Sequence, residues 1–248
     1  MPHESTRLPA SRKITMLLEG DRMTPFNRTL LSVRNLAEKL PGDCVDGGPL
    51  EAELITRYLE ASLAPLFEDL GNDIMFRWTS VGDVMAESNE KPDAIVSVVE
   101  GASFGRTIAY GEVKPEIHAI NHNLVTKDLE RIGRLANEAT DKNGSTLALA
   151  FLVVGHHDTF YLVQRHQSLY LMPEVGHVQL PMSLKEMPIY LAQLHTITNI
   201  IAAFDKVVAS SAHGFLDCPP SLRINQLRCL IDLTTDRKRK SVSSHYHH

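Results

Sequence analysis

Apolar residues fall along this chain in two rhythms. Ile74, Phe76 and Trp78 alternate with polar neighbours across Asp73–Ser80, which predicts a strand with one wet face. Ala94–Val99 and Thr107–Val113 are almost continuously apolar and predict two strands buried on both sides, joined by a turn at GASFGR. Leu147–Val154 (LALAFLVV) predicts another buried strand. GHHD, Gly155–Asp158, turns the chain into a shorter strand at Phe160–Gln164, and a further one is expected at Ser168–Met172. Elsewhere the period is helical. Leu30, Val33, Leu36 and Ala37 place a short amphipathic helix within Thr24–Leu40. Leu54, Ile55, Tyr58, Leu59, Leu63, Leu66 and Phe67 place one over Leu50–Phe67. Leu129, Ile132, Leu135, Ala136 and Ala139 face inward on a helix over Lys127–Thr140. Leu184 to about Ser210 reads as a long helix broken after Pro188.

The expected organisation is a loose lead-in over residues 1–23, a single domain over 24–212, and a polar, partly disordered tail over 213–248. PGDCVDGGP (Pro41–Pro49) is a loop by composition, 81–91 a polar loop, and Glu116–Thr126 irregular. Helix, three strands, helix and two strands in that order predict an α/β fold, a central mixed β-sheet flanked by helices with a helical C-terminal extension.

Composition narrows the class. The chain has 248 residues, 43% of them hydrophobic, enough for a sizeable core. Its formal net charge of −5 argues against a general nucleic-acid coat protein. Cys44, Cys218 and Cys229 make no CxxC pair and are odd in number, which suits a reducing compartment. The polar first 25 residues lack the apolar stretch of a signal peptide, and the longest apolar run, Leu147–Val154, is too short to span a bilayer. An intracellular protein without a membrane segment is the expectation. RKRK at Arg237–Lys240 reads as a nuclear localisation signal, a phosphate clamp or a solubilising end.

The candidate chemistry lies in KPDAIVSVVEGASFGRTIAYGEVKP, Lys91–Pro115. Asp93 opens one apolar strand after Pro92. Glu112 and Lys114 share a face of the next, with Val113 pointing the other way. Two carboxylates with an ammonium beside them suit a divalent metal held through oxygen ligands, and suit phosphoryl chemistry. Glu51, in the first turn of its helix, falls about 40° from the apolar centre when residues are placed at roughly 100° each. It either joins this set or caps its own helix. Asp93 also reads as a turn aspartate after proline, and Glu112–Lys114 as an exposed ion pair on a wet sheet face.

PD before an apolar strand and ExK at the end of the next resembles the PD-(D/E)xK nuclease superfamily, here as Pro92-Asp93 and Glu112-Val113-Lys114. The helix carrying Glu51 and the helix Lys127–Thr140 stand where that family's αβββαβ core has helices. The similarity covers roughly residues 50–165. The segments EAEL, RWTS, KPDAIVS and YGEVKP also resemble a group of fungal proteins placed in that superfamily. The resemblance implies a nuclease, with DNA as substrate, that uses Mg2+ or Mn2+. Asp93, Glu112 and Glu51 would be metal ligands and Lys114 the catalytic lysine. It also admits a relative that binds nucleic acid or protein without cutting, since a fold hosts many functions.

Other side chains invite weaker readings. Lys127, Arg131 and Arg134 cluster on the expected outward face of their helix, as phosphate contacts or as a solvated face interleaved with Asp128 and Glu130. Asp128 lies within about 45° of the inward centre and either contacts the site or caps the helix. His118 and His122 are four apart and would line the site's mouth if helical. His156-His157-Asp158 is metal-like in composition, but adjacent residues in a turn point apart. Leu194, Ile197, Ile200, Ile201 and Phe204 offer a homodimer interface on the C-terminal helix.

Overall fold

A computed structural model describes residues 4–18, 23–79, 91–166 and 169–212. The basic run Arg237–Lys240, Cys218, Cys229 and most of the 81–91 loop lie outside these residues. The architecture is α/β: an open, mixed seven-stranded sheet with helices on both faces. In chain order the elements are α1 (Glu4–Leu17), α2 (Pro25–Lys39), α3 (Glu51–Glu53), a π-helical stretch (Leu54–Leu59), α4 (Glu60–Phe67), β1 (Ile74–Trp78), β2 (Ala94–Glu100), β3 (Ser103–Lys114), α5 (His122–Asn143), β4 (Leu147–Val154), β5 (His157–His166), β6 (Leu169–Leu171), β7 (Glu174–Gln179), α6 (Met187–Ala192) and α7 (Leu194–Ala212).

Strands β1 to β5 lie side by side in sequence order, and β6 and β7 both pair with the far side of β5. Only β3 and β4 run parallel, because α5 carries the chain back across the sheet between them. The apolar positions divide between two cores. Ala94, Val96, Val113, Leu149, Phe151, Val153 and Phe160 face α2, α4 and α7. Ile95, Tyr110, Ala148, Ala150, Leu152 and Val163 face α5 through Ile132, Leu135, Ala136 and Ala139. The centre of the larger core is aromatic: Phe151 lies 6.4 Å from Phe67, 6.3 Å from Phe76 and 6.0 Å from Phe160 between ring centres. A charged tie fastens its helices together. Arg28 of α2 grips both carboxylate oxygens of Asp205 on α7 at 2.5 and 2.6 Å and donates to the Leu66 carbonyl of α4 at 3.0 Å.

Several boundaries differ from the expectation, each for a local reason. The lead-in is helical over α1, whose Ser11 hydroxyl donates to Glu38 of α2 at 2.5 Å and whose Ile14 packs against the large core. The turn between β2 and β3 is shorter than GASFGR, because β3 already begins at Ser103 and Gly101 turns the chain at φ 65°. Helix α5 begins at His122, five residues before the expected start, with the Asn121 side chain accepting from the Leu124 N–H at 3.2 Å. Strand β7 (EVGHVQ) has too little apolar alternation to stand out, and pairing with β5 makes it a strand. The C-terminal helix breaks at Gln193 and not after Pro188. Proline sits in the first turn of α6, where its missing N–H costs nothing. Gln193 instead anchors the break to the sheet, accepting from the Gln179 N–H at 2.8 Å and donating to its carbonyl at 3.0 Å.

Of the five residues read as a dimer face on the last helix, Ile197, Ile200, Ile201 and Phe204 are fully buried in the chain's own core, and only Leu194, at the start of α7, is exposed.

Another buried group lies on that side of the sheet. Asp158 on β5 shares its face with Phe160, has no exposure, and neither of its oxygens has a hydrogen-bond partner. Burial raises its pKa well above the ordinary aspartate value, which favours the neutral acid.

Gly111 on β3 stands opposite Phe151 on β4, and a Cβ at that position would overlap the Phe151 ring. Gly111→Ala is therefore expected to destabilise the protein by about 1–3 kcal/mol through displacement of the aromatic cluster. Chemical denaturation measures it, and an unchanged midpoint would show that the ring is not held against the strand.

Candidate functional site

The local chain dictates where each charged group stands. Pro92 restricts its neighbours, and Asp93 follows it at the entry to β2. The Asp93 N–H donates to the Gly111 carbonyl at 3.0 Å, and its Oδ2 accepts from the Val113 N–H at 2.8 Å. These two bonds seat the carboxylate on β3 beside Glu112. Glu112 and Lys114 point from β3 toward α5, on the same face as Tyr110. Helix α5 answers with Asp128 and Arg131, three residues apart.

Five charged side chains meet there. Lys114 Nζ lies 3.4 Å from Asp128 Oδ2, 3.6 Å from Glu112 Oε2 and 4.0 Å from Asp93 Oδ2. The Arg131 guanidinium lies 3.1 Å from Asp128 Oδ1 and makes a short contact with Glu112 Oε2. Three carboxylates thus face two cations.

Glu112 is the unusual member. Its side chain is 0% exposed, and its Oε1 has no hydrogen-bond partner. Its pKa is raised to about 8, first by burial and then by the neighbouring Asp93 carboxylate, against the lowering pull of Arg131 and Lys114. Burial opposes the charge of Arg131 too, but Glu112 and Asp128 outweigh it and hold the guanidinium above its ordinary value.

Asp93, Glu112 and Lys114 are brought together as the motif suggests. Glu51 is not. It is exposed at the start of α3 and makes no ion pair with the cluster. Its helical segment packs through Leu54, Tyr58 and Leu59 into the larger core, on the sheet face opposite the one that carries Glu112 and Lys114, and a π-helical stretch over Leu54–Leu59 separates it from α4. Asp128 supplies the third carboxylate instead, as its position near the inward centre allowed. Lys127 is exposed. Arg131 departs from the expected outward face: its long side chain leaves the flank of α5 and returns to the sheet. The signal for it was the three-residue spacing from Asp128 beside a strand carrying a buried acid.

The histidines are also rearranged. His118 lies in a one-turn 3-10 helix and His122 begins α5, so they share no helical face, and both are exposed. His157 and Asp158 belong to β5 and point to opposite faces of the sheet, leaving His156 in the turn.

Among the described residues no group of three or more His, Cys, Asp or Glu side chains converges in a geometry that could hold a metal ion. No helix there is long and apolar enough to cross a membrane. Comparison with protein-family models, with curated proteins and with solved structures found no match.

Two outcomes test the electrostatics. Above pH 8, where Glu112 is ionised, Arg131→Leu is expected to cost about 3–5 kcal/mol, since it removes the guanidinium from a buried carboxylate. Combining it with Glu112→Gln should recover much of that loss, and additive losses in urea denaturation would mean the two groups do not interact. The second concerns pH. A folded pKa near 8 lies above the ordinary glutamate value of 4.5, so the stability Glu112 contributes is complete below pH 4.5 and is lost as pH rises toward 8. With chelator present, Glu112→Gln should therefore gain on wild type across that window, by at most about 1.4 kcal/mol per pH unit. Parallel stability curves would place Glu112 in its ionised form throughout.

Proposed function

We propose that this chain is a metal-dependent nuclease of the PD-(D/E)xK type, hydrolysing phosphodiester bonds in nucleic acid, with DNA as the substrate class. The observation that carries the reading is the meeting of Asp93, Glu112 and Lys114 at the end of β3, from positions 93, 112 and 114 of the motif. The order of elements supports it. A helix precedes an antiparallel β1–β2–β3 meander, and a crossover helix then leads to a strand parallel to β3, as an αβββαβ core requires.

The donor set fits a hard divalent cation. Asp93 and Glu112 offer oxygen ligands, Glu112 Oε1 is buried without a partner, and the neighbouring Asp93 raises the pKa of Glu112, a strain a cation would relieve. Mg2+ or Mn2+ bound by Asp93 and Glu112 would neutralise phosphate oxygens and activate water. Glu51, exposed and apart, takes no part in this proposal. Lys114 stands among three carboxylates, placed to orient the attacking water or to offset charge gathering on the phosphate. Asp128 holds that lysine at 3.4 Å and so fixes its direction. Lys127, exposed on α5 beside Asp128, is a candidate phosphate contact.

One observation favours a second reading, a non-cutting module on the same fold that binds nucleic acid or protein. Arg131 already sits against Glu112 and Asp128, which supplies internally the positive charge a metal would bring.

Calorimetry with Mg2+ and Mn2+ on wild type and Asp93→Ala separates the two, together with cleavage assays on plasmid and single-stranded DNA. The nuclease reading expects binding that is lost in the variant, and cleavage reduced about 100-fold or more in folded Lys114→Ala. Undiminished cleavage in Lys114→Ala would remove it. Folded wild type without metal binding or cleavage would leave the non-cutting module.

A further inference from the structure

A second group of titratable side chains lies on the same sheet face, beyond the end of the carboxylate cluster. Lys114 pairs with Val154 on β4, and Val154 pairs with His157 on β5, so His157 stands two strands, roughly 10 Å, from Lys114. On the next strand, β7, His177 is the partner of Thr159. The diagonal between His157 and His177 brings their rings together: His157 Nδ1 lies 3.1 Å from His177 Nε2, and the ring centres are 5.2 Å apart. Thr159 Oγ1 lies 3.0 Å from the other nitrogen of His177, Nδ1.

We propose that His157 and His177 form a two-imidazole binding site for a borderline divalent transition cation, Zn2+, Ni2+ or Cu2+, distinct from the carboxylate cluster. Two nitrogens bound to one tetrahedral cation at about 2.0–2.1 Å are roughly 3.3–3.4 Å apart. The observed 3.1 Å therefore needs only a few tenths of an ångström of opening to admit the ion. The two rings are held by a paired antiparallel ladder, so the separation is a property of rigid elements and not of a loop. Thr159 orients His177 from behind, as metal-bound histidines commonly require.

Protons balance without loss. With His177 Nδ1–H donating to Thr159, its Nε2 accepts from His157 Nδ1–H in the empty site. Uptake of the cation moves the His157 proton from Nδ1 to Nε2, and both facing nitrogens become ligands. Burial, together with the neighbouring His156 and His177, lowers the pKa of His157, against a raising pull from Glu116. His156 does not compete for the position, since its Nδ1 turns to Glu116 at 3.6 Å. That contact places the Glu116 carboxylate near the new charge. Water would fill the remaining coordination positions. Imidazole ligands select against Mg2+ and Mn2+, so the two sites take different ions.

The test uses the full chain, with thermal unfolding and calorimetry in ZnCl2 and NiCl2 for wild type, His157→Gln and His177→Gln. At metal tenfold above Kd the wild-type Tm is expected to rise by roughly 3–6 °C. Each variant should bind at least tenfold more weakly while its response to Mg2+ stays that of wild type. Any binding by His245, His247 and His248 is told apart by the two variants, which leave those residues unchanged. Binding without a wild-type Tm rise, or an equal rise in both variants, overturns the proposal. Should His157→Gln unfold, His177→Gln decides alone, because His177 is exposed on an edge strand.

Discussion

A carboxylate buried without solvent contact sets the terms for the middle of this protein. Glu112 lies within the parallel β3–β4 pair, with Asp93 beside it, and a proton or neighbouring positive charge makes that position tolerable. Lys114 comes from the same strand, but Arg131 and Asp128 come from α5. The helix is thus fixed to the sheet by charge at its start and by Ile132, Leu135, Ala136 and Ala139 along the rest of its length. Moving α5 by one turn would strand the carboxylate.

The two faces of the sheet divide the work. The face toward α2, α4 and α7 is dry and aromatic and accounts for most of the buried side chains. The face toward α5 is dry only where the helix covers it. Past the end of β3 and β4 that face becomes polar, carrying first the carboxylates and Lys114, then the histidines of β5 and β7. Open α/β sheets leave such crevices at the carboxyl ends of their parallel strands, where crossover geometry parts the covering elements.

The same charges that hold the cluster together compete with any ligand. Lys114 and Arg131 occupy oxygens that a cation or phosphate would also engage. A buried ion cluster contributes little net stability compared with a hydrocarbon core of equal volume. Its two cations and three carboxylates leave an excess of negative charge when all are ionised, which a divalent ion or a shared proton would offset.

Much of this was legible in the chain, for a physical reason. Alternation at Ile74, Phe76 and Trp78 and the unbroken run Leu147–Val154 reflect local burial, so β1 and β4 could be read directly. The two-residue period of β3 put Glu112 and Lys114 on one face before any tertiary contact was known. Strand β7 and the helical state of 122–126 could not be read, because pairing with β5 and the Asn121 cap decide them. The place of Glu51 could not be read, because only packing decides that its helical segment lies on the sheet face opposite Glu112 and Lys114. The apolar stripe of α7 was visible as a stripe, but only packing decided that it faces inward. The side chains that reach across elements belong to the tertiary structure alone. Arg131 returning to Glu112 and His157 meeting His177 depend on register and on long-range contact; the spacing of Arg131 from Asp128 hints at the first, and no local pattern encodes the second.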